Sequence, residues 1–234
     1  MLSIKGLSVH YGIFQAIHDL DMEVLEGKTV SLLGANGSGK STILKTISGI
    51  KEPTRGEIWF KGKRIDSEKP ENIVRMGIGS VMEGRRLFLH MTVLENLKMG
   101  AFARSDKEGI SHDLDKMFRR FPVLQERASQ RAGLLSGGQQ EMVAVARGLM
   151  ANPKMLVMDE PCQGLSPVMV KEIAGIIRDI RSEGVTILLV EHNISIALGV
   201  ADKVYILQNG RIRFEGNPDE FAEDEFVQKV YLAG

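Results

Sequence analysis

The chain has 234 residues, 43% of them hydrophobic and 26% charged, an ordinary globular composition with enough length for one sizeable core. Thirty basic residues balance thirty acidic ones, so nothing draws the whole molecule toward nucleic acid or anionic lipid, and no nucleic-acid partner is expected. The single cysteine, Cys162, excludes an internal disulfide framework and favours a reducing compartment, and no stretch approaches the ~20 apolar residues of a bilayer span.

The first ten residues, MLSIKGLSVH, alternate apolar and polar like a strand and lack the basic-then-apolar order of a signal peptide. TVSLLG at 29–34 is a continuous apolar run ending on glycine, with a helix expected from Gly39. GEIWFKG at 56–62 alternates again. From about 85 to 150 no strand is expected, while TVLENLKMGAF, HDLDKMFRRF and GGQQEMVAVARGLMA carry helical spacing. MLVMDE at 155–160 precedes a helix near Pro167, and VTILLVEH at 185–192 precedes another. DKVYILQNGRIRFEG at 202–216 holds Asn209-Gly210, a hairpin signal. Short apolar runs followed by helices mark buried parallel strands. The alternating stretches, the hairpin included, are expected to form a small antiparallel sheet beside them. The expected fold is α/β and a single unit over 1–234. Its α/β core and antiparallel sheet come from 1–84 and 151–234, and an all-helical insertion from 85–150.

Gly34-Ala35-Asn36-Gly37-Ser38-Gly39-Lys40-Ser41 fits the phosphate-loop pattern G-x-x-x-x-G-K-[ST] in full and lies between a strand and a helix, the context the pattern needs. Glycines allow successive N–H groups to turn inward around phosphate oxygens, and the helix N-terminus adds partial positive charge. Lys40 would reach the β and γ phosphates, Ser41 would ligate Mg²⁺, and Thr42 extends the nucleotide-binding set. A buried strand ending in Asp159-Glu160 can deliver carboxylates to the same place. Asp159 would hold a water on Mg²⁺ and Glu160 would act as general base on the attacking water. His192, after a third core strand, is expected near the γ-phosphate. Cys162 and the 12 methionines read as core filler.

Leu135-Ser136-Gly137-Gly138-Gln139 opens a helix with a hydroxyl and exposed N–H groups, which serves equally as an N-cap or a phosphate contact. Together with the motifs above it resembles the signature of ATP-binding cassette proteins, and the resemblance covers the whole chain. It implies a phosphate-loop (RecA-like) fold, ATP and Mg²⁺, and further roles by position. Tyr11, beside Gly12, would stack on adenine, His192 would be the switch histidine, and Glu83 stands where the family has glutamine, within reach of Mg²⁺. Two cassettes pack head to tail, each ATP lying between one phosphate loop and Ser136, Gly137, Gly138 and Gln139 of the other.

The stretch SVMEGRRLF at 80–88 and the segment DEPCQGLSP at 159–167 are similar to the shorter ATP-binding subunit of branched-chain amino acid importers. That similarity implies a second ATPase subunit, identical or not, two membrane-spanning permeases, an extracytoplasmic binding protein acting indirectly, and a peripheral place on the cytoplasmic face of the membrane. Arg85, Arg86 and Phe88 are then expected to dock on a permease. Met82 and Cys162 depart from the usual residues, and Ser166 replaces an aspartate, removing a carboxylate from the segment facing the opposite cassette. Transport of another cargo, such as urea or a lipid, and a soluble role on ribosomes or DNA stay open as alternatives.

Overall fold

The computed structural model describes residues 1–224 and Val227, so the last part of the expected 151–234 core segment lies outside the described residues. In chain order the elements are β1 (Leu2–Tyr11), β2 (Phe14–Val24), β3 (Thr29–Leu33), α1 (Lys40–Ile47), β4 (Arg55–Phe60), β5 (Lys63–Arg64), α2 (Pro70–Met76) and β6 (Ile78–Val81). Four helices follow without an intervening strand: α3 (Val93–Gly100), α4 (Lys107–Arg120), α5 (Pro122–Glu126) and α6 (Gly137–Met150). The chain continues with β7 (Met155–Asp159), α7 (Pro167–Ser182), β8 (Thr186–Glu191), α8 (Ile194–Val200), β9 (Lys203–Gln208), β10 (Arg211–Gly216) and α9 (Pro218–Glu223).

The central sheet runs β10-β9-β3-β8-β7-β6, parallel throughout except for the edge strand β10. Every residue of β3, β7 and β8 is buried, because helices cover one face and α1 with a second sheet covers the other. Parallel register then sets the site. Leu33 pairs with Glu191, Asp159 with Val190 and Val81 with Met158, so the segments after β3, β6, β7 and β8 all leave the same edge. That carboxyl edge is where open α/β sheets bind ligands.

The second sheet, β2-β1-β4-β5, is antiparallel. The 202–216 hairpin does not join it, contrary to the expectation from alternation. The reason is burial: Val204 to Leu207 are at most 1% exposed, so β9 reads as a fully covered strand and pairs in parallel with β3, leaving only β10 half-exposed at the edge. β2 escaped the sequence reading for a related reason. Asp19 takes φ 47 and shifts the register, so the buried residues Ile17, Leu20, Met22 and Val24 are not evenly spaced by two.

The helices between β6 and β7 do not make a separate core. Val143 and Met150 of α6 and Leu97 of α3 belong to one apolar cluster with Leu156, Ile187 and Leu189 of the sheet. α3 lies against α6 because Gly100 has no side chain: a Cβ there would stand 2.0 Å from the Arg147 carbonyl oxygen. α6 thereby runs from beneath the sheet to the N-terminal turn that carries Ser136.

Candidate functional site

After β3 the phosphate loop turns into α1 through Gly39, whose φ of 112 and whose 2.6 Å clearance to Ile17 Cδ1 exclude any side chain. Lys40 is 5% exposed and folds back along the loop, its Nζ donating to the carbonyls of Gly34 (2.7 Å) and Ala35 (3.2 Å). Ser38 Oγ is buried without a hydrogen-bond partner. In front of the loop lies a cavity of about 340 Å³. Asn36, Gly37, Gly39, Lys40, Ser41 and Thr42 of the loop line it, together with Tyr11, Phe14, Ala16, Glu83, Glu160 and Gln163.

The carboxylates meet at the end of β7. Asp159 is 4% exposed, and its carboxyl is pushed up to about 6 by burial first and then by the neighbouring charges of Glu83 and Glu160, against Lys40 and Lys45. Glu160 leaves the strand at φ 49 and turns its side chain toward the cavity. Its Oε1 is 3.6 Å from Lys40 Nζ, and its Oε2 is 3.2 Å from His192 Nδ1 and accepts from Gln163 Nε2 at 3.0 Å. Glu191 is fully buried and accepts the backbone N–H groups of Cys162 (3.3 Å), His192 (3.3 Å) and Asn193 (3.4 Å), which ties the turn after β7 to the turn after β8. Cys162 is buried there, and burial followed by the charges of Glu191 and Glu141 pushes its thiol up to about 12. A buried thiol raised in this way is poorly suited to act as a nucleophile.

These donors suit Mg²⁺. Three carboxylates crowd one place, with burial and like charge opposing the ionisation of Asp159, and Ser41 lines the same cavity as Glu83 and Glu160. Among the described residues no set of three or more Asp, Glu, His or Cys encloses an ion alone.

Tyr11 and Phe14 are directly paired across the tight turn joining β1 and β2, so both rings reach the cavity. The Lys51 ammonium lies 5.3 Å from the Tyr11 ring centroid. Phe14 and Gln163 carried no role in the sequence reading. The signal for Phe14 was its place across the Tyr11-Gly12-Ile13 turn. For Gln163 it was its spacing of three from Glu160.

Ser136, Gly137, Gly138 and Gln139 do not line this cavity. They form the N-terminus of α6 with a reciprocal cap, Ser136 Oγ accepting from Gln139 N (3.4 Å) and Gln139 Oε1 accepting from Ser136 N (3.1 Å). Ser166 caps α7 in the same manner, accepting from Met169 N at 3.4 Å, a local task that aspartate also performs.

The 82–92 segment crosses from β6 to α3 through three consecutive left-handed residues, Gly84, Arg85 and Arg86. Of the two arginines expected at the permease, Arg85 is half-buried and Arg86 exposed. Arg85 turns inward to Glu141 of α6, Nε to Oε2 at 3.2 Å, and Arg86 Nε donates to the Glu83 carbonyl at 3.2 Å. Arg147 of α6 reciprocates by donating to the carbonyls of Arg86 (2.7 Å) and Arg85 (3.0 Å), and its guanidinium lies 5.8 Å from the Phe88 ring centroid. Beside this clamp is a second cavity of about 360 Å³, mostly apolar, lined by Met82, Phe88, Met99, Phe102 and Arg147 among others.

Residues 17–163 match the family model described as ABC transporter. Over 234 residues the chain is 44% identical to the high-affinity branched-chain amino acid transport ATP-binding protein BraG of Pseudomonas aeruginosa, with 100% of both chains covered. It is 34% identical to the glutamine transport ATP-binding protein GlnQ of Escherichia coli, over 98% of this chain and 100% of that one. A crystal structure of a nucleotide-free ATP-binding cassette from an ABC transporter matches with a TM-score of 0.88 at 30% identity, over 99% of this chain and 98% of that one. A dimeric ATP-binding cassette in a post-hydrolysis state, bound to ADP and Pi, matches at 0.84 and 26% identity, over 93% and 99%.

Proposed function

Because the chain belongs to the ABC transporter family, we propose that it is the ATP-hydrolysing subunit that drives import of branched-chain amino acids. The observation that carries the cargo is the full-length, 44% identity to a branched-chain amino acid transport ATP-binding protein. The site supports the ATPase chemistry independently, since the phosphate loop and Glu160 line one cavity.

ATP enters with its base against Tyr11 and Phe14 and its phosphates in the loop of Gly34, Ala35, Asn36, Gly37, Ser38, Gly39, Lys40, Ser41 and Thr42. Lys40 offsets the charge of the β and γ phosphates and so releases Glu160 Oε1 from its 3.6 Å contact. Glu160 takes the proton of the attacking water, and His192 on Oε2 holds the carboxylate in place and stands ready for the γ-phosphate. Ser41, Asp159 and Glu83 would hold Mg²⁺, which supplies further charge neutralisation at the phosphates. Because Ser136, Gly137, Gly138 and Gln139 lie off their own cavity, they serve the nucleotide of a partner cassette, and closure of the pair transmits the work of ATP. The helical region 85–150 is the part that carries this segment.

No described helix is long and apolar enough to cross a membrane. The chain acts as a peripheral subunit on the cytoplasmic face, docked on two permease subunits that receive cargo from an extracytoplasmic binding protein. The apolar groove at Phe88 and Phe102 is the permease contact. The 34% identity to a glutamine transport protein favours a second reading, import of another amino acid. Reconstitution with the permeases and binding protein decides between them. ATP-dependent uptake of labelled leucine, isoleucine and valine supports the first reading, and uptake of glutamine alone replaces it.

A further inference from the structure

One polar side chain on the wall of the ATP cavity has no task in this scheme. Gln163 lies in the turn between β7 and α7, exposed, with its side chain on the cavity that also holds Lys40, Ser41 and Glu160. Two hydrogen bonds bind it to Glu160: its Nε2 donates to Oε2 at 3.0 Å and its backbone N–H donates to the Glu160 carbonyl at 3.1 Å. The turn closes because Glu160 sits at φ 49, so the backbone itself aims both side chains at the same space. Of the three side chains on the carboxylate, Lys40 is drawn to phosphate once nucleotide binds, and His192 is half-exposed. Gln163 carries no charge, and its Nε2 donates to Oε2 at 3.0 Å. Its amide also carries a carbonyl oxygen with two lone pairs for a hydrogen of water.

We propose that Gln163 orients the attacking water jointly with Glu160, its Nε2 fixing the carboxylate and its Oε1 accepting one hydrogen of the water while the other points at Glu160. The inference rests on the ATPase reading above. In the step, the water oxygen bonds to the γ-phosphorus as the bond to the bridging oxygen breaks, and that electron pair leaves with ADP. The transferred proton goes to Glu160, and Gln163 neither gains nor loses one. A glutamine orients water in this way in other phosphate-loop enzymes, where positioning rather than proton transfer is the contribution.

The test is steady-state hydrolysis of MgATP by the full-length chain over a range of protein concentrations, comparing wild type, Glu160→Gln, Gln163→Leu and Gln163→Ala. Because Gln163 is exposed, both substitutions should leave thermal melting unchanged. The expected result for both is a plateau kcat lower by about 10- to 100-fold, with KM for ATP within about twofold and the concentration midpoint unmoved. A plateau within twofold of wild type overturns the proposal. So does a shifted midpoint with a normal plateau, which would place Gln163 on the contact with the partner cassette, and so does a rise in KM alone. If wild type hydrolyses no ATP even when assembled with its permeases, it is the ATPase reading that fails; wild-type turnover lost in Glu160→Gln and retained in Gln163→Leu defeats this inference only.

Discussion

At the scale of single residues, the site separates binding from turnover. Lys40→Ala removes the buried cation that faces the β and γ phosphates, so tight MgATP binding should disappear; equilibrium binding of a fluorescent ATP analogue measures it, and wild-type affinity would contradict the phosphate-site assignment. Glu160→Gln should bind ATP and stall, with a rate loss of ~10²–10⁴ for a positioned base. Trapped ATP rather than ADP in the isolated complex is the readout. Tyr11→Ala should weaken binding by roughly 1–3 kcal/mol, on the scale of base–aromatic stacking, and GTP should compete because neither ring reads the base edge. The phosphate loop and the Asp159-Glu160 pair were legible in the sequence because their geometry is local: eight consecutive residues make the loop, and a strand end aims the acids. Phe14 and Gln163 were not. One reaches the cavity through the register of β1 with β2, and the other through a left-handed backbone at Glu160, so a turn position and a spacing of three did not by themselves single them out.

At the scale of elements, the clamp between the 82–92 segment and α6 is a partly buried ion pair, with Arg85 26% and Glu141 6% exposed. Burial raises the Glu141 carboxyl to about 7 from an ordinary 4.5, despite the opposing pull of Arg85. The folded chain therefore retains a proton between pH 4.5 and about 7 that the unfolded chain has released. Its contribution to stability falls as pH rises through that window and levels off above it. Glu141→Gln should flatten the slope, and chemical unfolding at pH 5 and pH 8 would show it. Arg85→Ala leaves a buried carboxylate unpaired, a loss of about 2 kcal/mol at pH 8, smaller than for a fully buried pair because water reaches Arg85. The loss should shrink at pH 5 and in the Arg85→Ala, Glu141→Gln double variant. This clamp was only half legible. A charged segment between two apolar ones announced a joint, but periodicity cannot say that Arg85 folds inward onto α6. The 202–216 hairpin failed in the same way, since its alternation fits an antiparallel sheet and only the full burial of β9 shows that it extends the parallel one.

At the scale of the whole molecule, one sheet edge gathers the ATP cavity, the groove beside the clamp is a separate cavity, and the 82–92 segment touches both. Glu83 lines the first and Phe88 the second. Phe102 is 83% and Phe88 46% exposed, and both line the same mostly apolar groove. Aromatic anchors set in a pocket dominate interface energies, whereas exposed charges at a rim contribute little. With Arg85 committed to Glu141 and Arg86 to the Glu83 carbonyl, the apolar groove and not the arginine pair should hold the permease. The Phe88→Ala, Phe102→Ala double variant should therefore lose permease association by about tenfold or more, while ATP affinity and basal hydrolysis of the isolated chain stay near wild type. Arg86→Ala should leave association within about twofold, as a rim charge does. Co-purification with the permeases and leucine uptake by the reconstituted complex measure both variants. Normal uptake by the double variant would mean that the groove is bare surface and that the permease contact lies elsewhere on the helical face.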